Sequence, residues 1–166
     1  MHIHDDHLYH GSALTQIAEH QNFTAINAFK DADNVSRSAF RVNDNIGVYF
    51  KYSTKPKRPF DEYVFTFTQP NIEEIDRIAE LVDDLYLALV CVKDRHICNL
   101  PYETFCQLLT WRQDAYGSEE DQYTVLAHLP EGKSFRVYVN KPGKKKTYLK
   151  KQIVINRNKF PNQLFT

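Results

Sequence analysis

Residues 40–68 read FRVNDNIGVYFKYSTKPKRPFDEYVFTFT, and this stretch decides the predicted fold. Its alternating aromatic and β-branched residues are typical of strands. We predict three consecutive strands in one sheet, over residues 39–42, 46–53 and 62–68. The turn at 43–45 makes a hairpin of the first two, and a basic connection with two prolines, residues 54–60, leads to the third. We expect any active or binding surface on or beside this sheet.

The period of two in these strands assigns side chains to faces. In the second strand, Phe50 falls on one face, and Tyr49 and Lys51 fall on the other. In the third strand, Phe65 falls on one face and Glu62 on the opposite one. A lysine in the middle of such a strand is unusual for a purely structural face. Lys51 is therefore a candidate functional residue.

Flanking elements are predicted by the same criteria. Apolar residues at helical spacing predict helices over 11–20, over 70–84 and from Pro101 to about Trp111. Strands are predicted over 85–92, 96–100, 123–129, 135–139 and 153–155, with 23–29 a strand or irregular edge and 31–38 a polar loop. We predict a single α+β domain over 1–166, with a mixed, mostly antiparallel sheet flanked by helices. If the chain divides, the loop 114–120 separates a core, 11–112, from a basic β extension, 121–166.

Charge in this chain is segregated. The formal net charge is +0, but residues 61–84 carry eight acidic side chains and residues 133–159 carry ten Lys or Arg. Net charge therefore conceals strong local fields. No apolar run approaches the roughly 20 residues of a membrane helix. The cysteines Cys91, Cys98 and Cys106 lie in apolar runs, so we expect reduced core thiols and a cytoplasmic protein.

The predicted order from residue 11 to 92 is helix, strand, strand, strand, helix, strand. This order resembles the core of the restriction-endonuclease-like nucleases. The resemblance implies two carboxylates that hold Mg²⁺ and a lysine that orients or activates the attacking water. Asp44 and Glu62 would be the catalytic metal ligands, with Lys51 as a displaced catalytic lysine. The usual lysine position, two residues after Glu62, is Val64; if Lys51 is the motif lysine instead, Tyr49 replaces the carboxylate.

A second resemblance covers nearly the whole chain. The segments YHGSAL, FRVNDNIGVYFKYSTKPKRP, EYVFTF, LVCVKDRHIC and RNKFPNQLF are similar to those of a family of small uncharacterised bacterial proteins. This resemblance implies a bacterial, cytoplasmic protein. It assigns no catalytic residue.

Two basic runs predict a nucleic-acid-binding surface. The runs contain Lys55, Lys57 and Arg58, and then Lys144, Lys145, Lys146, Lys150 and Lys151. Lysines follow a phosphate backbone, and Tyr148, within the second run, offers a ring for stacking. The alternative for both runs is a solvated hairpin tip. DNA or RNA is thus the predicted partner, with or without metal-dependent cleavage; the alternative function is a non-catalytic protein-interaction or regulatory module.

Other chemistry finds little support. The five glycines are scattered, so the chain has no phosphate loop and no dinucleotide-binding fingerprint. Four histidines, His2, His4, His7 and His10, stand within the first ten residues, and imidazoles bind transition metals. Their loose spacing and terminal position favour a polar arm over a specific metal site.

Overall fold

The computed structural model describes residues 1–31 and 34–166. Within these ranges the chain forms three α-helices, a short 3-10 helix and nine β-strands in two sheets. The helices are α1 (Asp5–Ala18), α2 (Gln69–Ala79), α3 (Tyr102–Tyr116) and the 3-10 helix Asn162–Phe165. The strands are β1 (Ile26–Asp31), β2 (Asn34–Val42), β3 (Ile46–Ser53), β4 (Glu62–Thr68), β5 (Asp84–Cys91), β6 (His96–Pro101), β7 (Gln122–His128), β8 (Phe135–Tyr138) and β9 (Ile153–Ile155). The predicted α+β class is confirmed.

The first sheet, sheet A, has the strand order β1-β2-β3-β5-β6. Its strands pair antiparallel except for β3 and β5, which run parallel from Ile46 opposite Asp84 to Ser53 opposite Cys91. The predicted β2–β3 hairpin is present, with Val42 opposite Ile46. Strand β5 is the apolar run for which the sequence predicts coverage on both faces, and it lies in the interior of the sheet.

The second sheet, sheet B, has the order β4-β7-β8-β9 and is antiparallel throughout. The expectation that β4 continues the sheet of β2 and β3 is wrong, because β4 pairs with β7 instead, from Glu62 opposite His128 to Thr68 opposite Gln122. The reason lies in the side chains. An interior position beside β3 requires apolar residues on both faces, which β5 offers, whereas β4 alternates apolar and polar residues and suits a sheet with one open face.

The main hydrophobic core lies between the two sheets. Tyr49 and Leu89 of sheet A meet Phe65, Phe67 and Val125 of sheet B there, and the apolar faces of α2 and α3 complete this core. The opposite face of sheet A packs on α1 and the C-terminal segment. Its members include Ala13, Ile17, Val48, Phe50, Ala88, Val90, Phe160 and Leu164. The predicted division of β3 and β4 side chains between faces is therefore confirmed.

Several element boundaries differ from the predictions. Helix α1 begins at Asp5, and the His4 backbone N–H donates to His7 Nδ1 at 3.1 Å in its first turn. Helix α3 continues to Tyr116 and ends at Gly117, whose positive φ of 93° suits glycine. Strand β2 begins at Asn34, inside the predicted polar loop 31–38; residues 32 and 33 lie outside the described part. No helix in the described ranges has the length and apolarity to cross a membrane.

Candidate functional site

The structure does not bring together the predicted catalytic residues Asp44, Lys51 and Glu62. Asp44 is exposed in the turn before β3. Glu62 lies beyond the other end of that strand. Its neighbour Tyr63 donates to the carboxylate of Asp94, in the turn that follows β5, and β5 runs parallel to β3 and ends beside Ser53. The eight residues of β3 separate the two ends by roughly 25 Å. Asp44 and Glu62 therefore do not fit a shared Mg²⁺ ion.

Lys51 is also separate from Glu62. Its Nζ atom lies 5.1 Å from the centroid of the Phe67 ring and donates to Asn71 Oδ1 at 3.1 Å. Phe67 is five residues after Glu62 on β4, about 17 Å along the strand. Lys51 is half-buried, and this burial lowers its pKa.

Glu62 occupies a cationic environment on the outer face of sheet B. The side chain is only 7% exposed, and its carboxylate accepts a hydrogen bond from the Tyr138 hydroxyl. Burial raises the pKa of Glu62, while His128, Lys146 and Lys145 oppose that rise. His128 stands directly opposite Glu62 in the β4–β7 pair. Glu62 therefore acts as an internal counter-charge to the lysines beside it.

The two predicted basic runs meet beside Glu62. Lys57 and Glu62 bridge through their backbones, with the Lys57 N–H donating to the Glu62 carbonyl at 2.8 Å. The Nζ atom of Lys146, from the second run, lies 5.1 Å from the centroid of the Phe60 ring, which ends the first run. Segments more than 80 residues apart in the chain thus form one surface. We call the side chains of residues 55–60 and 141–148 the basic surface.

Residues 141–148 form a turn that folds against the outer face of sheet B. Asn140 and Tyr148 form a backbone bridge, and the Leu149 N–H donates to the Val139 carbonyl at 2.9 Å. The Tyr148 ring meets the Tyr138 ring edge-on at 6.0 Å between centroids. Lys150 and Lys151, both exposed, follow this turn rather than belonging to it.

A cleft of about 500 Å³ opens beneath the turn. Its lining includes Arg112, Glu120, Thr124, Asn140, Lys141, Lys144 and Lys145. Arg112 donates to both Glu120 oxygens, at 2.7 and 2.8 Å, and to the Asn140 carbonyl at 2.8 Å. Because Glu120 neutralises Arg112, the excess positive charge of the cleft comes from its three lysines.

Sequence reasoning missed His128 and Tyr138, and it assigned His10 to a polar arm rather than to the buried face of α1. The positions of His128 and Tyr138 beside Glu62 depend on strand pairing, for which the sequence carries no local signal. His10 could have been found, because it precedes Ala13 and Ile17 at i, i+3 and i+7 and so shares the buried stripe of α1. His10 is 7% exposed.

The N-terminal histidines do not converge on a metal site. The His4 ring lies 5.0 Å from that of His2 and 5.2 Å from that of His7, between centroids, whereas His10 turns into the core. In the part of the chain that the structure describes, no cluster of three or more His, Cys, Asp or Glu side chains could hold a metal ion.

The basic surface and its cleft together form the candidate functional site. The two resemblances suggested by the sequence stay predictions. Comparison of the chain with protein-family models, with curated proteins and with solved structures finds no match.

Proposed function

We propose that the chain binds nucleic acid and holds a single-stranded backbone across the basic surface. The observation that supports this most is the contact between Lys146 and Phe60, which joins two lysine runs that are distant in sequence. Adjacent ammonium groups attract phosphates and release the counterions condensed on the strand, so a joined surface binds more strongly than two separate runs.

Aromatic rings among the lysines favour a single strand over a duplex. Tyr148 is 46% exposed and Phe60 is half-buried; Lys146 lies over the Phe60 ring, and Tyr148 belongs to the lysine-rich turn 141–148. Unpaired bases can stack on such rings, while duplex bases are already stacked on each other. In the cleft beneath the turn, Lys141, Lys144 and Lys145 surround a concave space that a phosphate group can enter.

The proposal is binding without cleavage. Since Asp44 and Glu62 lie at opposite ends of β3, the magnesium-dependent mechanism that the endonuclease resemblance implies has no paired carboxylates here. The three cysteines are free thiols, which fits the proposed cytoplasmic, bacterial setting.

Replacing Lys144, Lys145 and Lys146 together by alanine should weaken binding at least about tenfold at 100 mM salt. The slope of log K against log salt should become shallower by about 2–3, because three phosphate contacts are lost. The measurement is fluorescence anisotropy of labelled single- and double-stranded DNA and RNA at two salt concentrations, with and without Mg²⁺ or Mn²⁺. The matched control replaces Lys30, Arg37 and Lys159, all exposed outside the basic surface, and should bind like the wild type.

Three results would contradict this proposal. Equal weakening by the control variant would mean that net charge, rather than the basic surface, governs binding. Metal-dependent cleavage lost on changing Lys51 or Glu62 would restore the nuclease. Absence of any binding at micromolar protein would leave the protein-interaction module as the function to pursue.

Glu62→Gln should tighten nucleic-acid binding about threefold, because it removes the buried carboxylate that opposes the positive charge of Lys145 and Lys146. Glutamine can still accept the hydrogen bond of Tyr138, so the fold should persist. Tyr138→Phe is the control, since it removes the hydrogen bond but keeps the carboxylate and should not tighten binding. Weaker binding by Glu62→Gln would show that the carboxylate contacts the nucleic acid or a bridging ion rather than opposing it.

A further inference from the structure

The pairing of β2 with β3 stops halfway along both strands. It runs from Val42 opposite Ile46 to Ala39 opposite Tyr49, whereas β2 continues toward Asn34 beside β1. A cleft of about 410 Å³ opens where the two strands separate. It lies between α1, β2, β3 and the start of α2, and its lining includes Asp6, His10, Ser38, Tyr49, Lys51 and Asn71.

His10 is the buried polar group of this cleft. Neither ring nitrogen has a hydrogen-bond partner of ordinary geometry, and the ring stacks on Phe50 at 5.5 Å between centroids. Burial lowers the pKa of His10, as does Lys51, while Asp6 and the backbone of Arg37 favour the protonated form. A buried polar group without a partner destabilises the fold, because it loses its hydrogen bonds to water and gains none in return. His10 therefore keeps hydrogen-bonding capacity that a ligand in the cleft can use.

Lys51 is held in place on the other side of the cleft. Its ammonium lies between Asn71 Oδ1 and the face of the Phe67 ring. The same Asn71 oxygen accepts from the Thr68 N–H at 3.1 Å, which fixes the amide that receives Lys51. Both contacts favour a positively charged lysine whose remaining protons are available to a ligand.

The cleft is richer in donors than in free acceptors. Lys51 and His10 can donate, and burial raises the pKa of Tyr49 to about 12, so its hydroxyl stays protonated. The Ser38 and Tyr49 hydroxyls share a hydrogen bond, which leaves one hydroxyl proton of this pair available to a ligand. The carboxylate that lines the cleft belongs to Asp6, and its Oδ1 atom already accepts from the His7 N–H at 3.1 Å.

We propose that this cleft binds a compact oxyanion, a carboxylate or phosphate group, between the Lys51 ammonium, the His10 imidazole and the Ser38 hydroxyl. The site goes beyond the proposed nucleic-acid function, because it is built on sheet A and the basic surface lies on sheet B. Asp6 faces the same cleft and opposes the anion. Removal of the Asp6 carboxylate should therefore raise the affinity for the anion, whereas removal of Lys51 or His10 should lower it.

The test is an NMR titration of amide resonances with sodium phosphate and, separately, sodium acetate in a chloride buffer. The protein carries alanine at positions 144, 145 and 146, so that phosphate bound at the basic surface does not interfere. Amides of residues 38, 51 and 71 should shift and saturate in the millimolar range. Lys51→Met should weaken binding at least tenfold, whereas Lys30→Met, at an exposed position of β1, should leave it unchanged.

Two further variants protect the test against a loss of folding. His10→Phe keeps the packing on Phe50 and should weaken binding severalfold. Asp6→Asn should tighten binding two- to threefold. Saturation by phosphate alone, by acetate alone or by both supports the oxyanion site and identifies the anion.

Unchanged affinity in a folded Lys51→Met protein would overturn the site. So would weaker binding by Asp6→Asn, which indicates a cationic or zwitterionic ligand held by that carboxylate. Because the site lies on sheet A and three lysines of the basic surface are already replaced, either result leaves the nucleic-acid proposal untouched, and failure of the nucleic-acid proposal leaves this site untouched.

Discussion

Phe67→Ala is expected to lower the free energy of unfolding by about 3–5 kcal/mol. Phe67 is fully buried between the two sheets and packs against Phe105 of α3, with 4.9 Å between ring centroids. Truncation leaves a cavity that β3, β4 and α3 cannot all close at once, because each is fixed by its own hydrogen bonds. Urea unfolding followed by circular dichroism measures the loss.

Phe67→Leu separates packing from the contact with Lys51. Leucine retains much of the apolar volume, so the loss of stability should be about 1–1.5 kcal/mol. It removes the ring beneath the Lys51 ammonium, so oxyanion binding at the sheet A cleft should weaken as well. Tyr148→Ala, at a ring that is 46% exposed and outside both cores, is the stability control and should change the free energy of unfolding by about 0.5 kcal/mol or less. A loss under 1 kcal/mol for Phe67→Ala would contradict a core packed between two sheets.

The core role of Phe67 follows from the sequence, but the sheet to which it belongs does not. Alternation is a local property of a strand, so the division of side chains between the two faces of β3 and of β4 was predicted correctly. Partner choice is non-local. It depends on β5 burying both of its faces beside β3 and on β7, some 60 residues further along the chain, pairing with β4.

The same difference between local pattern and non-local pairing determines how much of the candidate site the sequence predicts. The two lysine runs in the sequence supply the cations of the basic surface, although Lys150 and Lys151 follow the turn rather than belong to it. Their convergence depends on the turn 141–148 folding onto sheet B and on Lys146 reaching Phe60, which follows from tertiary structure alone. The residues predicted from the nuclease resemblance show the opposite case. Asp44 and Glu62 are near in sequence, but the length of β3 and the placement of β4 in the other sheet separate them in the fold.

Arg112→Met is expected to cost about 2–3 kcal/mol of stability and to weaken nucleic-acid binding. Arg112 ties α3 both to Glu120, just before β7, and to the Asn140 carbonyl, where the basic turn begins. The side chains of Arg112 and Glu120 are 22% and 16% exposed, so removal of one partner leaves a largely desolvated charge. Breaking a fully buried pair costs about 3–5 kcal/mol, and the remaining exposure reduces that figure here.

The sign of the effect on binding depends on Glu120. Without Arg112, the Glu120 carboxylate is left in the same cleft as Lys144 and Lys145, where its negative charge competes with a phosphate for these lysines. The double variant Arg112→Met with Glu120→Gln should therefore bind nucleic acid more tightly than Arg112→Met alone and should recover about 1–2 kcal/mol of stability. Arg37→Met, at an exposed arginine on β2, is the control. If the double variant is no better than the single one in either measurement, the ion pair does not couple α3 to the basic turn, and the cleft must keep its shape through the strand pairing of Asn140 with Tyr148 instead.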